Sequence, residues 1–232
     1  MIPIRDDVPS RQLPIANWLI IGANIAVFVH EVLLPAPRLE SFIESWAFVP
    51  APLTGPGPAV APLATSMFLH GGFFHLAANL WVLWIFGDNV EDRMGPIGYI
   101  LFYLLCGLAA GLVHWASAPA STIPTVGASG AISGVMGAYF LLYPRARVVL
   151  LVPLLFWPVF VEVPALVFLA VWFLGQLWSG ASAGLAAVQE AGIAWWAHVG
   201  GFVAGMVLVW LFARRPAPPG RRRRRRVLAY RG

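Results

Sequence analysis

Three short stretches of this chain carry side chains that can do chemistry within otherwise apolar sequence. They are Gly127-Ala128-Ser129-Gly130, Ala197-His198-Val199-Gly200-Gly201, and His70-Gly71-Gly72-Phe73-Phe74-His75 running on to Asn79. Polar groups are costly to bury in lipid, so each needs a functional or hydrogen-bonding reason. Glycines allow a tight turn that sets Ser129 at a helix N-terminus, among unpaired backbone N–H groups. A serine there can cap the helix or, beside donors able to hold an oxyanion, act as a nucleophile. His198, Gly201 and Gly205 share one helical face, and the glycines let another helix approach closely. A matching small face, Gly130, Ser133, Gly134 and Gly137, follows Ser129. Packing of the two would bring His198 to Ser129; the alternative is a small-residue seam with a hydrogen-bonded histidine. His75 and Asn79 lie one helical turn apart and can both donate hydrogen bonds. They read as donors to a reacting group, as interhelical polar contacts, or, through His70 and His75, as metal ligands. Metal ligation is the weaker reading, because Cys106 is isolated and no carboxylate lies nearby on that side of the membrane.

The elements that position these residues are membrane spans. Of 232 residues, 59% are hydrophobic and only 11% charged, with a mean hydropathy of +0.77. A soluble domain carries about 25% charged residues, so lipid is the solvent for most of this surface. Spans need about 20 apolar residues. Six segments fit or nearly fit, at about Ile15 to Leu34, Phe73 to Phe86, Pro96 to Ala116, Ser129 to Tyr143 (short), Val159 to Trp178 and Ile193 to Phe212. An apolar link, Val148 to Trp157, precedes the fifth, and a long Pro- and Gly-rich loop, Pro35 to Leu63, follows the first. The N-terminal residues lack the charged-then-apolar plan of a signal peptide, so the first segment reads as a retained span. With six spans, fourteen of the fifteen Arg residues fall on one side and only Arg38 on the other, and there is no Lys. That bias makes the Arg-rich side cytoplasmic. The run Arg221 to Arg226, placed just after a span, points to anionic lipid headgroups as partners and not to nucleic acid. Residues 1–14 and 214–232 read as unstructured tails around a membrane domain of residues 15–213. The single Cys106 excludes an intramolecular disulfide, and the lack of internal repeats argues against a transporter.

Together, HGGFFHLAAN, EDRMGPIGYI, GASGAISG and AHVGGFVAG resemble, in order and spacing, the motifs of the rhomboid intramembrane proteases in their bacterial six-span form. The resemblance implies an all-α membrane protein, a six-transmembrane-helix bundle whose short central fourth helix starts at the nucleophile. It implies Ser129 as nucleophile, His198 as base, and His75, Asn79 and Gly127 around the oxyanion with the Ser129 N–H. It places His70 near a water-filled mouth and gives Glu91 and Arg93 a structural role. The implied activity is a serine endopeptidase with no cofactor or metal, cutting single-span transmembrane proteins near the outer boundary of a bacterial inner membrane. Gating is expected around the fifth helix and the loop before the sixth. A non-catalytic, client-binding relative is the alternative, against which the presence of both Ser129 and His198 argues. The acidic residues near the spans, Glu31, Asp88 and Glu162, do not suit a third catalytic member, so a Ser–His dyad is expected. The first loop lacks the Trp-Arg pair of many rhomboids; Trp46 and Phe48 read there as an interfacial aromatic anchor.

Overall fold

Apolar runs set the helices, and Pro, Gly and β-branched residues set where they stop. The computed structural model describes residues 1–54, 60–154, 157–186 and 194–214. Among these the helices are α1 (Ile15–Leu33), α2 (Ala36–Trp46), α3 (Ala61–Thr65), α4 (Phe73–Met94), α5 (Pro96–Ser117), α6 (Ser129–Leu142), α7 (Ala165–Ala186) and α8 (Trp195–Phe212). The Arg221 to Arg226 run and the segment between α7 and α8 lie outside the described residues. α1, α5, α7 and α8 are each long and apolar enough to cross a membrane. Residues Ala61–Phe68 and α4 qualify as one span bent by 92°. α6 has 14 residues, or about 21 Å of helix, and every residue from Gly130 to Tyr139 is buried. The chain is therefore a multi-pass membrane protein, a helical bundle arranged around the short α6.

Three expectations need correction, the third being the surface position of Phe48. The fifth span starts at Ala165, not near Val159, and the N-terminal segment is not wholly unstructured. Ile2–Asp6 (β1), Arg147–Leu154 (β2) and Trp157–Pro164 (β3) form an antiparallel sheet in the order β1-β2-β3. The register pairs Ile2 with Leu151 and Val148 with Val163. Val159, Val161 and Val163 alternate with Phe160 and Glu162, a strand pattern, and Pro158 and Pro164 disfavour a helix interior. The strand β1 runs beside α4: the Trp81 indole N–H donates to the Pro3 carbonyl at 2.6 Å, and the Asn89 amide to that of Val8 at 3.1 Å. Val148 and Leu150 are buried against the bundle, and the Tyr139 hydroxyl donates to the Asp6 carboxylate. The first loop is likewise partly ordered. Its α2 has no buried residue, whereas Phe48 is 1% exposed and exchanges backbone hydrogen bonds with Thr125. Phe48 is therefore an interior residue and not a membrane-surface anchor; Trp46 is 45% exposed.

At the Arg-bearing end, buried side chains bond to backbone and to one another. Glu91 accepts from the backbone N–H groups of Ala16 (3.1 Å) and Asn17 (2.8 Å), two donors that the first turn of α1 cannot bond internally. A carboxylate at a helix N-terminus is also favoured by the helix dipole. The Asn17 side chain donates to the Leu83 carbonyl and accepts from the Tyr99 hydroxyl. Arg93 donates to the Arg214 carbonyl, which ties the end of α4 to the end of α8.

The helices α6 and α8 pack backbone to backbone. A Cβ added at Gly201 would overlap the carbonyl oxygen of Gly130, one at Gly205 that of Gly134, and one at Gly137 that of Phe202. Gly175 on α7 has nothing within 4 Å of such an atom. Gly201→Ala should therefore lower stability by about 1–3 kcal/mol. Gly175→Ala should stay within about 0.5 kcal/mol of wild type, both read by thermal unfolding in detergent.

Asp6 supplies a second prediction. Burial raises its carboxyl from the ordinary 3.8 to about 6, against a smaller opposing effect of the Tyr139 hydrogen bond. A carboxyl raised in the folded state stabilises the fold fully below its unfolded value and loses that contribution as pH rises through about 6. Asp6→Asn should therefore flatten the fall in melting temperature expected of wild type between about pH 4 and pH 6.

Candidate active site

Ser129 is the first residue of α6, and Ala128, not Ser129, occupies the cap position, with no side-chain capping bond. Capping therefore does not account for the hydroxyl. Its oxygen lies 2.8 Å from Nε2 of His198, in the first turns of α8. The Gly–Gly seam between α6 and α8 sets this distance, because it fixes the two helix starts side by side. Nδ1 of His198 lies 2.7 Å from Oε1 of Gln176 on α7. Trp172 and Trp195 flank the imidazole, each with its ring centroid 6.2 Å away.

The turn into α6 requires glycine. Gly127 has φ +126°, a conformation that residues with a Cβ rarely adopt, and an added Cβ would meet the His75 ring at 2.7 Å. Its N–H donates to the Ser66 carbonyl at 2.9 Å. The loop thus presses His75 towards the N-terminus of α6. The Gly71 N–H donates to His75 Nδ1 at 3.4 Å, which leaves Nε2 as the donor nitrogen of the neutral ring. Asn79, one turn further along α4, is 6% exposed, and its amide nitrogen has no partner among the described residues. Such an orphaned buried donor calls for an explanation.

These side chains share a cavity of about 500 Å³, lined by Ser129, His198, His75, Asn79, Gln176 and Trp172 among others. His70, expected at a cavity mouth, is not among the lining residues. It is 5% exposed and its ring centroid is 5.2 Å from that of His75. Its backbone N–H donates to the Glu31 carboxylate at 3.2 Å, so Glu31 ties the end of α1 to the turn before α4. Among the described residues no third His, Cys, Asp or Glu joins His70 and His75 in a ligand-spaced group. Among the described residues no carboxylate lines the cavity; Glu162 instead pairs with Arg147 at 3.4 Å on the sheet. Gln176 is the site residue that sequence reasoning missed. Its only sequence signal is an uncharged polar side chain within an apolar span.

The arrangement places a hydroxyl against an imidazole, with further donors converging on the same space. Comparison with known proteins gives the same family as the motifs. Residues 58–215 match the Rhomboid domain family. Rhomboid-like protein 11, chloroplastic, of Arabidopsis thaliana is 33% identical over 211 residues, covering 90% of this chain and 69% of that protein. Rhomboid protein 1, mitochondrial, of Saccharomyces cerevisiae is 26% identical over 202 residues, covering 85% of this chain and 53% of its own length. Rhomboid protease GluP of Bacillus subtilis is 41% identical over 76 residues, 33% of this chain and 14% of that protein. The chain thus spans about half of the yeast relative and still less of the Bacillus one. With the family's domain covering most of its length and set on a multi-pass helical bundle, this chain belongs to the rhomboid family.

Proposed function

We propose that the chain is an intramembrane serine endopeptidase that hydrolyses peptide bonds of single-span membrane proteins through a Ser129–His198 dyad. The observation that carries this reading is the 2.8 Å contact of Ser129 Oγ with His198 Nε2 at the wall of a cavity inside an apolar bundle. A serine hydroxyl becomes a useful nucleophile once a base takes its proton, and a neutral imidazole suits that role near neutral pH. His198 Nε2 accepts the proton as Oγ attacks the substrate carbonyl carbon. The negative charge on the former carbonyl oxygen is met by the Ser129 N–H, unpaired at the helix start, and by Asn79 Nδ2 and His75 Nε2–H. The absence of a partner for the Asn79 amide supports this role. As the tetrahedral intermediate collapses, the C–N bond breaks and His198 gives its proton to the leaving amine. A water, deprotonated by the same imidazole, then releases the acyl group from Ser129.

The seam between α6 and α8 sets the dyad at one end of the bundle, opposite the cluster of Arg93, Arg147 and Arg214. Read with the Arg bias, this supports a cytoplasmic location for both ends of the membrane domain, residues 15–213, with the dyad near the outer boundary. In a bacterium the host membrane is the inner one, with the Arg221 to Arg226 run against anionic headgroups. Substrates with a helix-destabilising stretch near that boundary fit best, because their backbone must extend to reach Ser129.

Cleavage of a model single-span substrate by the purified protein should be lost in Ser129→Ala and in His198→Ala. Asn79→Ala should lower kcat by about 10²-fold with little change in stability. Undiminished cleavage by Ser129→Ala or His198→Ala would remove the dyad from the account.

A further inference from the structure

Gln176 is a polar side chain on a lipid-facing helix that the dyad mechanism leaves without a role. Its Oε1 faces His198 Nδ1 at 2.7 Å. An amide oxygen can only accept, so the proton of the neutral ring sits on Nδ1. Nε2 then turns its lone pair to the Ser129 hydroxyl, 2.8 Å away. The opposite tautomer would carry hydrogen on Nε2 and leave Ser129 without a base. A carboxylate does this work in Ser-His-Asp triads, but among the described residues no Asp or Glu lines this cavity. Among the described residues the titratable groups that face it along with His198 are His75 on α4 and His114 on α5, while α6 presents Ser129 and α7 presents Gln176.

We propose that Gln176 is the positioning residue of the dyad, a neutral third member that fixes the His198 tautomer from α7. The proposal rests on the Ser129–His198 reading and adds to it a group on a third helix. Its consequences follow from the amide. It orients the ring without supplying negative charge, so it steadies the imidazolium formed during attack less than a carboxylate would. An amide also has two faces: turned by half a revolution, it donates to Nδ1 and holds the unproductive tautomer. A carboxylate at the same place could support only the productive one. The location matters as well. Of the four long apolar helices α7 is the least enclosed, with 17% of its span buried against 28–39% for the others. A displacement of α7 would therefore separate Gln176 from His198 and unset the base while leaving the α6–α8 seam intact.

The test compares full-length wild type, Gln176→Leu, Gln176→Glu and Ser129→Ala in detergent. The readouts are the labelling rate with a fluorophosphonate across neutral pH, kcat and KM for a model single-span substrate, and the melting temperature. Gln176→Leu should lose roughly tenfold in labelling rate and kcat at unchanged KM, the size of one lost neutral hydrogen bond. Gln176→Glu should recover most of that loss and move the midpoint of the rate–pH curve to higher pH, because a carboxylate steadies the protonated imidazole. Wild-type rates and an unmoved midpoint in Gln176→Leu would overturn the proposal. So would equal losses in both variants that track a fall in melting temperature, which would mark Gln176 as packing. Equal labelling of wild type and Ser129→Ala would overturn the dyad itself and the proposal with it, a result distinct from either.

Discussion

The close approach of α6 and α8 is the constraint on which the rest of the structure depends. Gly201 sits against the carbonyl of Gly130 and Gly205 against that of Gly134, with no room for a side chain at either glycine. Within lipid, helices gain little from hydrophobic burial against each other, so packing at this distance is a main source of association. The same contact fixes the helical phase of both elements. Ser129 begins one helix and His198 lies in the first turns of the other, so the seam that holds the bundle together also sets the 2.8 Å contact. Structure and candidate chemistry share one set of atoms.

The two ends of the bundle hold different sets of buried polar groups. At the Arg-bearing end Glu91, Asn17 and Tyr99 bond to one another and to backbone, and α1 is held by Glu91 at its first turn. At the dyad end Asn79 Nδ2 and His70 Nε2 have no partner among the described residues. Burying an unpaired donor costs roughly 1–3 kcal/mol. A protein keeps such a donor where something outside the resting fold uses it. For Asn79, which lines the cavity, the proposed mechanism supplies that use as a reacting carbonyl. His70 does not line the cavity, and no account of its orphaned nitrogen follows from the geometry. The sheet β1-β2-β3 pairs the backbone of β1 and β2 beside α4 and leaves the outer edge of β3 with Pro158 and Pro164, which lack N–H groups.

Much of this was legible in the sequence because lipid burial writes a strong periodic signal. The helices fall close to the apolar runs, and the small faces of Gly130, Ser133, Gly134 and Gly137 and of Gly201 and Gly205 identify the seam before any coordinates. The residues around the site were legible through their motifs. Three features were not. The hairpin of β2 and β3 is as apolar as a span, and only the alternation of Val159, Val161 and Val163 with the two prolines separates strand from helix. Phe48 looked like a surface anchor because its burial depends on pairing with Thr125, 77 positions away in the chain. Gln176 was missed because its partner, His198, lies on another helix, and a lone amide in an apolar segment has no local signature. For Phe48 and Gln176 the missing information was a tertiary contact.

The central claim is that Ser129 is the nucleophile and that His198 activates it. The most direct measurement is mass-spectrometric mapping of the adduct formed by a fluorophosphonate on the full-length protein in detergent. The account predicts one phosphonyl group, on Ser129, in wild type and none in His198→Ala. An adduct on another residue, or modification of Ser129 that proceeds equally well without His198, would contradict it.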